Sequence, residues 1–203
     1  MYTKLLSFVM LTSYADDFLF WFAHPDIRFI QAVLQEQLNI FSNYLGAFGL
    51  QINFKKSNII CFYRCRTAPV ISIMFEKDLA IEQVSSLKYL GFTFDSKLTY
   101  KQQITDTCSK CIKFMNLMRF LCGTSWGSNV KSMLIFYKAT IRALTDFNFP
   151  MFVTLSPSKF KRLQIIVHQA LRICTGALSS TPTHVLLTNS GEIPLYLRYQ
   201  YLN

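Results

Sequence analysis

Val9 to Ala23 reads VMLTSYADDFLFWFA, an apolar run with two adjacent carboxylates, Asp16 and Asp17, at its middle. That pair restricts what the run can become. An ionised carboxylate withdrawn from water is costly unless a positive group pairs with it, and the nearest basic residues in sequence are Lys4 and Arg28. A transmembrane helix is disfavoured on the same ground, since a charge at mid-bilayer costs about 2.5 to 3.5 kcal/mol. Neighbouring side chains on a strand face opposite ways, so the acids can point together only at a tight turn. A hairpin is therefore expected, with SYA and FLF as its arms and the carboxylates at the tip. A divalent cation would supply the missing counter-charge.

The rest of the composition narrows the class. With 203 residues and 51% hydrophobic content the chain can bury a core in one or two domains. Its start, MYTKLLSFVML, imitates a secretory leader but no small-residue cleavage site follows, so no secretion is expected. The six cysteines (61, 65, 108, 111, 122, 174) are too sparse for a disulfide scaffold and fit reduced, intracellular thiols, with nucleus and cytoplasm not distinguished. Zinc is not expected: Cys61 and Cys65 lie in a run that reads as strand, ~13 Å apart at ~3.3 Å per residue. Cys108 and Cys111 alone do not complete a tetrahedral site.

Charge divides the chain in two. Residues 1 to 96 carry eight Lys or Arg and eight Asp or Glu, whereas residues 97 to 203 carry thirteen against three, so the net +10 belongs to the second half. A basic half fits a polyphosphate partner or a solvated helix surface.

Pattern divides it at the same place. Ile27, Ile30, Leu34, Leu38, Phe41, Leu45 and Phe48 recur at steps of three and four, a helix that Gly49 closes. LQINFK alternates with period two and reads as a strand; NIICFY, VISIMF and LKYLGFTFD read as further short strands. Beyond Lys101 the period becomes helical through Ile104, Cys108, Cys111, Met115, Met118 and Cys122, interrupted from Gly123 to Gly127. Helices over Lys131–Asp146 and Ser158–Thr175 follow, then a tail that reads as one short helix and a loop. The class is α+β: a sheet subdomain over 1–96 and a basic helical subdomain over 97–203, with the boundary near Asp95 to Tyr100.

YADD alone is a weak pattern. In order with the helix, FGLQINFKKS and LKYLGFTFDSKLTYKQQI, it resembles consecutive palm motifs of reverse transcriptases of LINE-type (non-LTR, jockey-like) retrotransposons. IFYKATIRALTDFNFPMF, KRLQIIVHQALRICTGA and PLYLR resemble the thumb of the same family, so the resemblance covers essentially the whole chain.

The resemblance implies an antiparallel palm sheet with a helix, then a helical thumb. It implies Asp16 and Asp17 as catalytic ligands of two Mg²⁺ ions and Tyr14 near the primer end. Lys56, which Lys55 could replace, falls near the incoming triphosphate. Tyr89, Leu90 and Gly91 match the hairpin that grips the primer, although core packing explains Tyr89 equally well. Lys97, Lys101, Lys110, Lys113 and Arg119, on the helix that follows, would face the template–primer backbone. Partners would be an RNA template, a DNA primer and deoxynucleoside triphosphates, with no membrane and no obligate protein partner. His168 and His184 lack metal-ligand spacing.

The family also needs an aspartate from an earlier strand, and none of the thirteen residues before Tyr14 is acidic. The expectation is a C-terminal portion of an RNA-directed DNA polymerase, inactive alone. The alternative is a catalytically dead nucleic-acid-binding remnant. A helical protein-interaction module would leave the Asp pair unexplained.

Overall fold

The computed structural model describes residues 9–75, 79–123, 126–152 and 157–202. The leader-like stretch before Val9 lies outside them. They fall into two compact units, Met1–Lys88 with Phe94–Leu98, and Tyr89–Thr93 with Thr99–Asn203. The chain therefore passes to the helical unit between Leu98 and Thr99, and Tyr89–Thr93, expected with the sheet, belongs to the helical unit.

The first unit begins with β1 (Met10–Tyr14) and β2 (Asp17–Trp21), an antiparallel hairpin, followed by α1 (Ile27–Ala47). Asp26 caps α1 by accepting a hydrogen bond from the Arg28 N–H at 2.9 Å. Gly49 ends it at φ 72°, with Gly49 N bonded to Gly46 O and Leu50 N to Leu45 O, both at 3.0 Å. That double closure is a Schellman motif. It also consumes Leu50, and the expected strand over LQINFK does not form. Residues 51–53 are irregular and Phe54–Lys56 makes one 3-10 turn, whose Lys56 N–H bonds Asn53 O at 3.1 Å.

The apolar stripe of α1 packs where its period predicts. Phe41 meets Phe18 and Phe20 of β2 edge-on, with ring centroids 4.8 and 5.1 Å apart, while Ile27, Ile30, Leu34 and Leu38 cover Cys61, Ile71 and Ile73. Phe48, assigned to the same stripe, is exposed.

Strand pairing is more fragmentary than the expected antiparallel sheet. Among the described residues there are four two-stranded ladders. Besides β1–β2 these are β3 (Asn58–Ile60) parallel to β6 (Glu82–Val84), β4 (Met74–Phe75) antiparallel to β5 (Leu79–Ala80), and β7 (Ser86–Tyr89) with β8 (Phe92–Asp95).

Only Met74–Phe75 of VISIMF is strand, and two glutamine side chains bond the backbone beside it. Gln35 grips Met74 at both its N–H and C=O, each at 2.7 Å. Gln83 accepts from Ile71 N and donates to Pro69 O, each at 2.8 Å. At Pro69 and Ile71 these backbone groups are satisfied without a ladder.

The second unit is helical. Its elements are α2 (Lys101–Leu121), α3 (Val130–Tyr137), α4 (Ala143–Phe147), α5 (Phe149–Phe152), α6 (Pro157–Thr175), α7 (Thr183–Ser190) and α8 (Leu195–Leu202). A π-helical turn, Lys138–Arg142, joins α3 to α4. The tail thus holds two helices rather than one. Gly191, at φ 65°, ends α7, and Pro194 starts α8 by accepting from Arg198 N.

Helix α6 is central, packed on α2, α3 and α7. Cys111, Met118, Ile141, Leu163, Ala170, Leu171 and Leu186 have no exposed surface. Truncating Met118 or Leu171 to Ala would cost about 2–5 kcal/mol. An ion network ties the last helix down: Arg198 holds Asp146 bidentately, and Arg142 bonds the buried Glu192 at 3.0 Å.

Candidate functional site

The loop between β1 and β2 is Ala15–Asp16, with Tyr14 directly opposite Asp17 across the ladder. Ala15 has φ 52°, a left-handed conformation that costs an L-residue roughly 1–2 kcal/mol. Positive φ at the first of two loop residues gives the tight reversal that hairpins use. The turn holds an alanine where glycine would relieve it.

Phe18 and Phe20 turn toward α1. By strand alternation, Asp17, and with it the opposite Tyr14, therefore occupies the other face. Tyr14 is 65% exposed, and Asp16 and Asp17 are exposed as well. Among the described residues neither carboxylate has a hydrogen-bond or ion-pair partner. Among them no cluster of three or more His, Cys, Asp or Glu is placed to hold a metal. The tip therefore offers two open carboxylates and needs further oxygen ligands from elsewhere.

Lys55 and Lys56 share the 3-10 turn, both exposed. The turn is anchored through Phe54, which stacks on Phe75 with centroids 6.1 Å apart, and through Asn58, whose amide donates to Lys56 O at 3.2 Å. The lysines project from a fixed loop rather than from the expected strand.

Leu90 and Gly91 form the turn between β7 and β8, at φ 48° and 86°. Positive φ at both central residues is the type I′ hairpin. Within the helical unit this turn is clamped. Gln103 of α2 accepts from Thr93 N at 3.0 Å and donates to Asn148 Oδ1 at 2.5 Å and toward Gly91 O at 3.4 Å. Phe92 stacks on Phe147, centroids 4.5 Å apart and nearly parallel. A side chain at position 91 would meet the Phe147 ring at 3.2 Å, so this glycine is required by close approach and by φ together. Tyr89 buries its hydroxyl with no hydrogen-bond partner among the described residues.

The five basic residues assigned to the following helix do not act as one row. Lys97 precedes it and belongs to the first unit, where its ammonium lies 4.0 Å from the Tyr63 ring centroid and donates to Cys65 O. Lys101, Lys110, Lys113 and Arg119 are on α2 and exposed. At about 100° per residue, Lys101 and Arg119 share one flank, Lys110 lies on the other, and Lys113 stands mid-face opposite the buried side. They embrace the solvent face rather than forming a stripe.

Cys65 is exposed, Cys122 is half-buried, and the other four thiols are buried. Burial pushes Cys111 and Cys174 up to about 12, and Cys61, Cys108 and Cys122 upward as well. Burial, with Arg172 nearby, lowers His168.

Gln103, Asn148 and Phe147, which seat the β7–β8 turn, were not singled out from sequence. The available signal was a glutamine at the margin of the apolar stripe of α2, where a buried amide has to find partners.

Comparison with curated proteins finds three RNA-directed DNA polymerases of Drosophila melanogaster mobile elements. The probable polymerase from transposon BS is 23% identical over 166 residues, 82% of this chain; that from transposon X-element is 24% identical over 168 residues, also 82%. The polymerase from mobile element jockey is 24% identical over 170 residues, 83% of the chain. This chain is similar to the RNA-directed DNA polymerases of these mobile elements. It spans 18% of the length of each of these polymerases. No protein-family model and no solved structure matches it. No helix among the described residues is long and apolar enough to cross a membrane.

Proposed function

We propose that this chain is the palm-and-thumb portion of a non-LTR retrotransposon RNA-directed DNA polymerase, whose chemistry is nucleotidyl transfer onto a primer 3′-hydroxyl. The observation that carries the proposal is the exposed hairpin tip, where Asp16 and Asp17 stand without a cationic partner among the described residues. Relationship to retrotransposon polymerases supports it.

The carboxylates suit Mg²⁺, which keeps several waters and takes one or two carboxylates together with substrate phosphates rather than a full protein cage. When bound, two such ions would polarise the attacking hydroxyl and neutralise charge on the leaving phosphate. Asp16 and Asp17 are then the protein ligands, on a turn whose backbone is fixed by a paired ladder. Tyr14, on the face of Asp17, presents an exposed ring for the primer end. Lys56 offers a mobile cation on an anchored loop for the triphosphate, with Lys55 beside it. The turn of Tyr89, Leu90 and Gly91 would hold the primer strand through its rigid backbone. Lys101, Lys110, Lys113 and Arg119 would take the template–primer phosphates without reading sequence. Lys97, engaged with Tyr63 and Cys65, is the weakest member of that set.

The test is extension of a primer on an RNA template by this chain joined to a further palm strand that carries an aspartate. Asp16→Asn or Asp17→Asn is expected to reduce extension at least roughly 100-fold, the scale of losing a charge-stabilising group. Extension unchanged by both substitutions would overturn the assignment. The net +10 of residues 97–203 favours a second reading, a non-catalytic nucleic-acid binder. It is distinguished by salt-sensitive binding that survives the loss of both aspartates, with no extension under any arrangement.

A further inference from the structure

At the end of α2 two large aromatic side chains stand in solvent, Phe120 at 68% exposure and Trp126 at 59%. They touch edge to face, with centroids 5.9 Å apart and planes at 77°. Each ring keeps a broad free surface. The arrangement is built rather than incidental. Cys122 and Gly127 form a bridge, and Ser128 N bonds Leu121 O at 3.1 Å, so the residues that follow Trp126 are tied to the end of α2. A side chain at position 123 would collide with the Trp126 backbone and indole, at 2.6 and 2.8 Å, so Gly123 leaves the indole its seat.

The surroundings say what such a platform meets. From Thr107 to Thr145 the sequence contains six Lys or Arg and no Asp or Glu. Arg119 precedes Phe120 on the helix, and its guanidinium donates to Asn116 Oδ1 at 2.7 Å, which holds a planar cation on the same end of α2. Lys113, two turns before Phe120, lies on the same helix face as its ring. Lys138 and Arg142 pair with Glu192 and Asp146, which leaves Lys110, Lys113, Arg119 and Lys131 exposed with no acidic partner among the described residues. Exposed aromatic faces on a helix whose free charges are cationic match a polyanion that carries flat apolar groups. Duplexes keep their base faces inside the stack, whereas single strands offer them.

We infer that Phe120 and Trp126 form a stacking platform for unpaired bases of a single-stranded nucleic acid, with Arg119 and Lys113 holding its phosphates. The inference deepens the nucleic-acid reading above and rests on it. It adds a site distinct from the hairpin and the β7–β8 turn, and a preference for single strands without sequence selectivity.

The chain has two tryptophans, so Trp21→Phe leaves Trp126 as the sole indole reporter. Short oligo-dT, a blunt duplex and the base-free polyanion heparin are titrated against this form. Expected are quenching of Trp126 by oligo-dT alone, and an oligo-dT affinity that falls roughly 5- to 150-fold per lost stack in Phe120→Ala and Trp126→Ala. Heparin affinity should not move, and Phe120→Tyr should retain oligo-dT binding. Circular dichroism and the urea midpoint confirm that the variants fold. Oligo-dT binding without quenching and unmoved by the alanine variants would overturn the platform while leaving the phosphate-binding reading intact. Binding of neither oligo-dT nor heparin would overturn both. If the alanine variants abolish self-association in sedimentation and leave oligo-dT binding unchanged, the patch is a protein contact and the inference fails.

Discussion

Replacing Gln103 by Met keeps side-chain length and helix propensity but removes the amide that seats the β7–β8 turn. Two groups lose a partner: the Thr93 N–H, bonded at 3.0 Å, and the Asn148 side-chain oxygen, bonded at 2.5 Å. Asn148 is 2% exposed and Gln103 6%, so water cannot readily replace the amide there, whereas Thr93 is half-buried. An orphaned buried polar group costs about 1–3 kcal/mol. With Asn148 in the upper part of that range and Thr93 in the lower, the loss is about 3 kcal/mol. At a urea m-value of about 2–3 kcal/mol/M, this lowers the unfolding midpoint of the helical unit by about 1–1.5 M. Pairing the change with Asn148→Leu removes the other orphan, and the double variant should lose less than the sum of the single ones. A midpoint shift below about 0.3 M, or strict additivity with Asn148→Leu, would show that the amide does not carry the turn.

Tyr89→Phe deletes a buried hydroxyl that lacks a partner among the described residues, so stability should stay level or rise by up to about 1 kcal/mol in thermal melts. A clear loss would show that the hydroxyl is bonded in solution. Native alkylation should label the exposed Cys65 first and leave Cys108, Cys111 and Cys174 untouched until the fold opens, read by mass spectrometry. Burial raises Cys111 and Cys174 from 9.0 to about 12, so the folded state holds their protons more tightly than the unfolded chain does. Stability is therefore insensitive to these thiols below pH 9 and falls between pH 9 and about 12, by up to about 1.4 kcal/mol per pH unit for each. His168, lowered from 6.5, adds a loss on the acid side as pH falls below that value, and His168→Gln should remove it.

Long-period features were legible in the sequence. The stripe of α1 and its Gly49 closure, the span of α2, and Gly176 after α6 all follow from side chains within a turn or two of one another. So was the reversal at Ala15–Asp16, because two adjacent charges inside an apolar run leave the chain few alternatives. What escaped depends on partners far along the chain. The period-two signal of LQINFK yielded to a helix cap that uses Leu50. VISIMF kept little strand where Gln83, 12 residues from Ile71, bonds its backbone instead. Lys97 looked like the start of a basic helix, yet it turns to the Tyr63 ring. Gln103 was unremarked since nothing local shows that a polar side chain near an apolar stripe will meet residues 91, 93 and 148.

That the β1–β2 tip holds divalent cations is tested most directly by titrating isotopically labelled protein with Mn²⁺ and following backbone amide signals. Broadening centred on Tyr14, Ala15, Asp16 and Asp17, reversed by excess Mg²⁺ and absent in the Asp16→Asn, Asp17→Asn variant, is the expected result. Broadening centred elsewhere, or the same at the tip when both acids are gone, would contradict it.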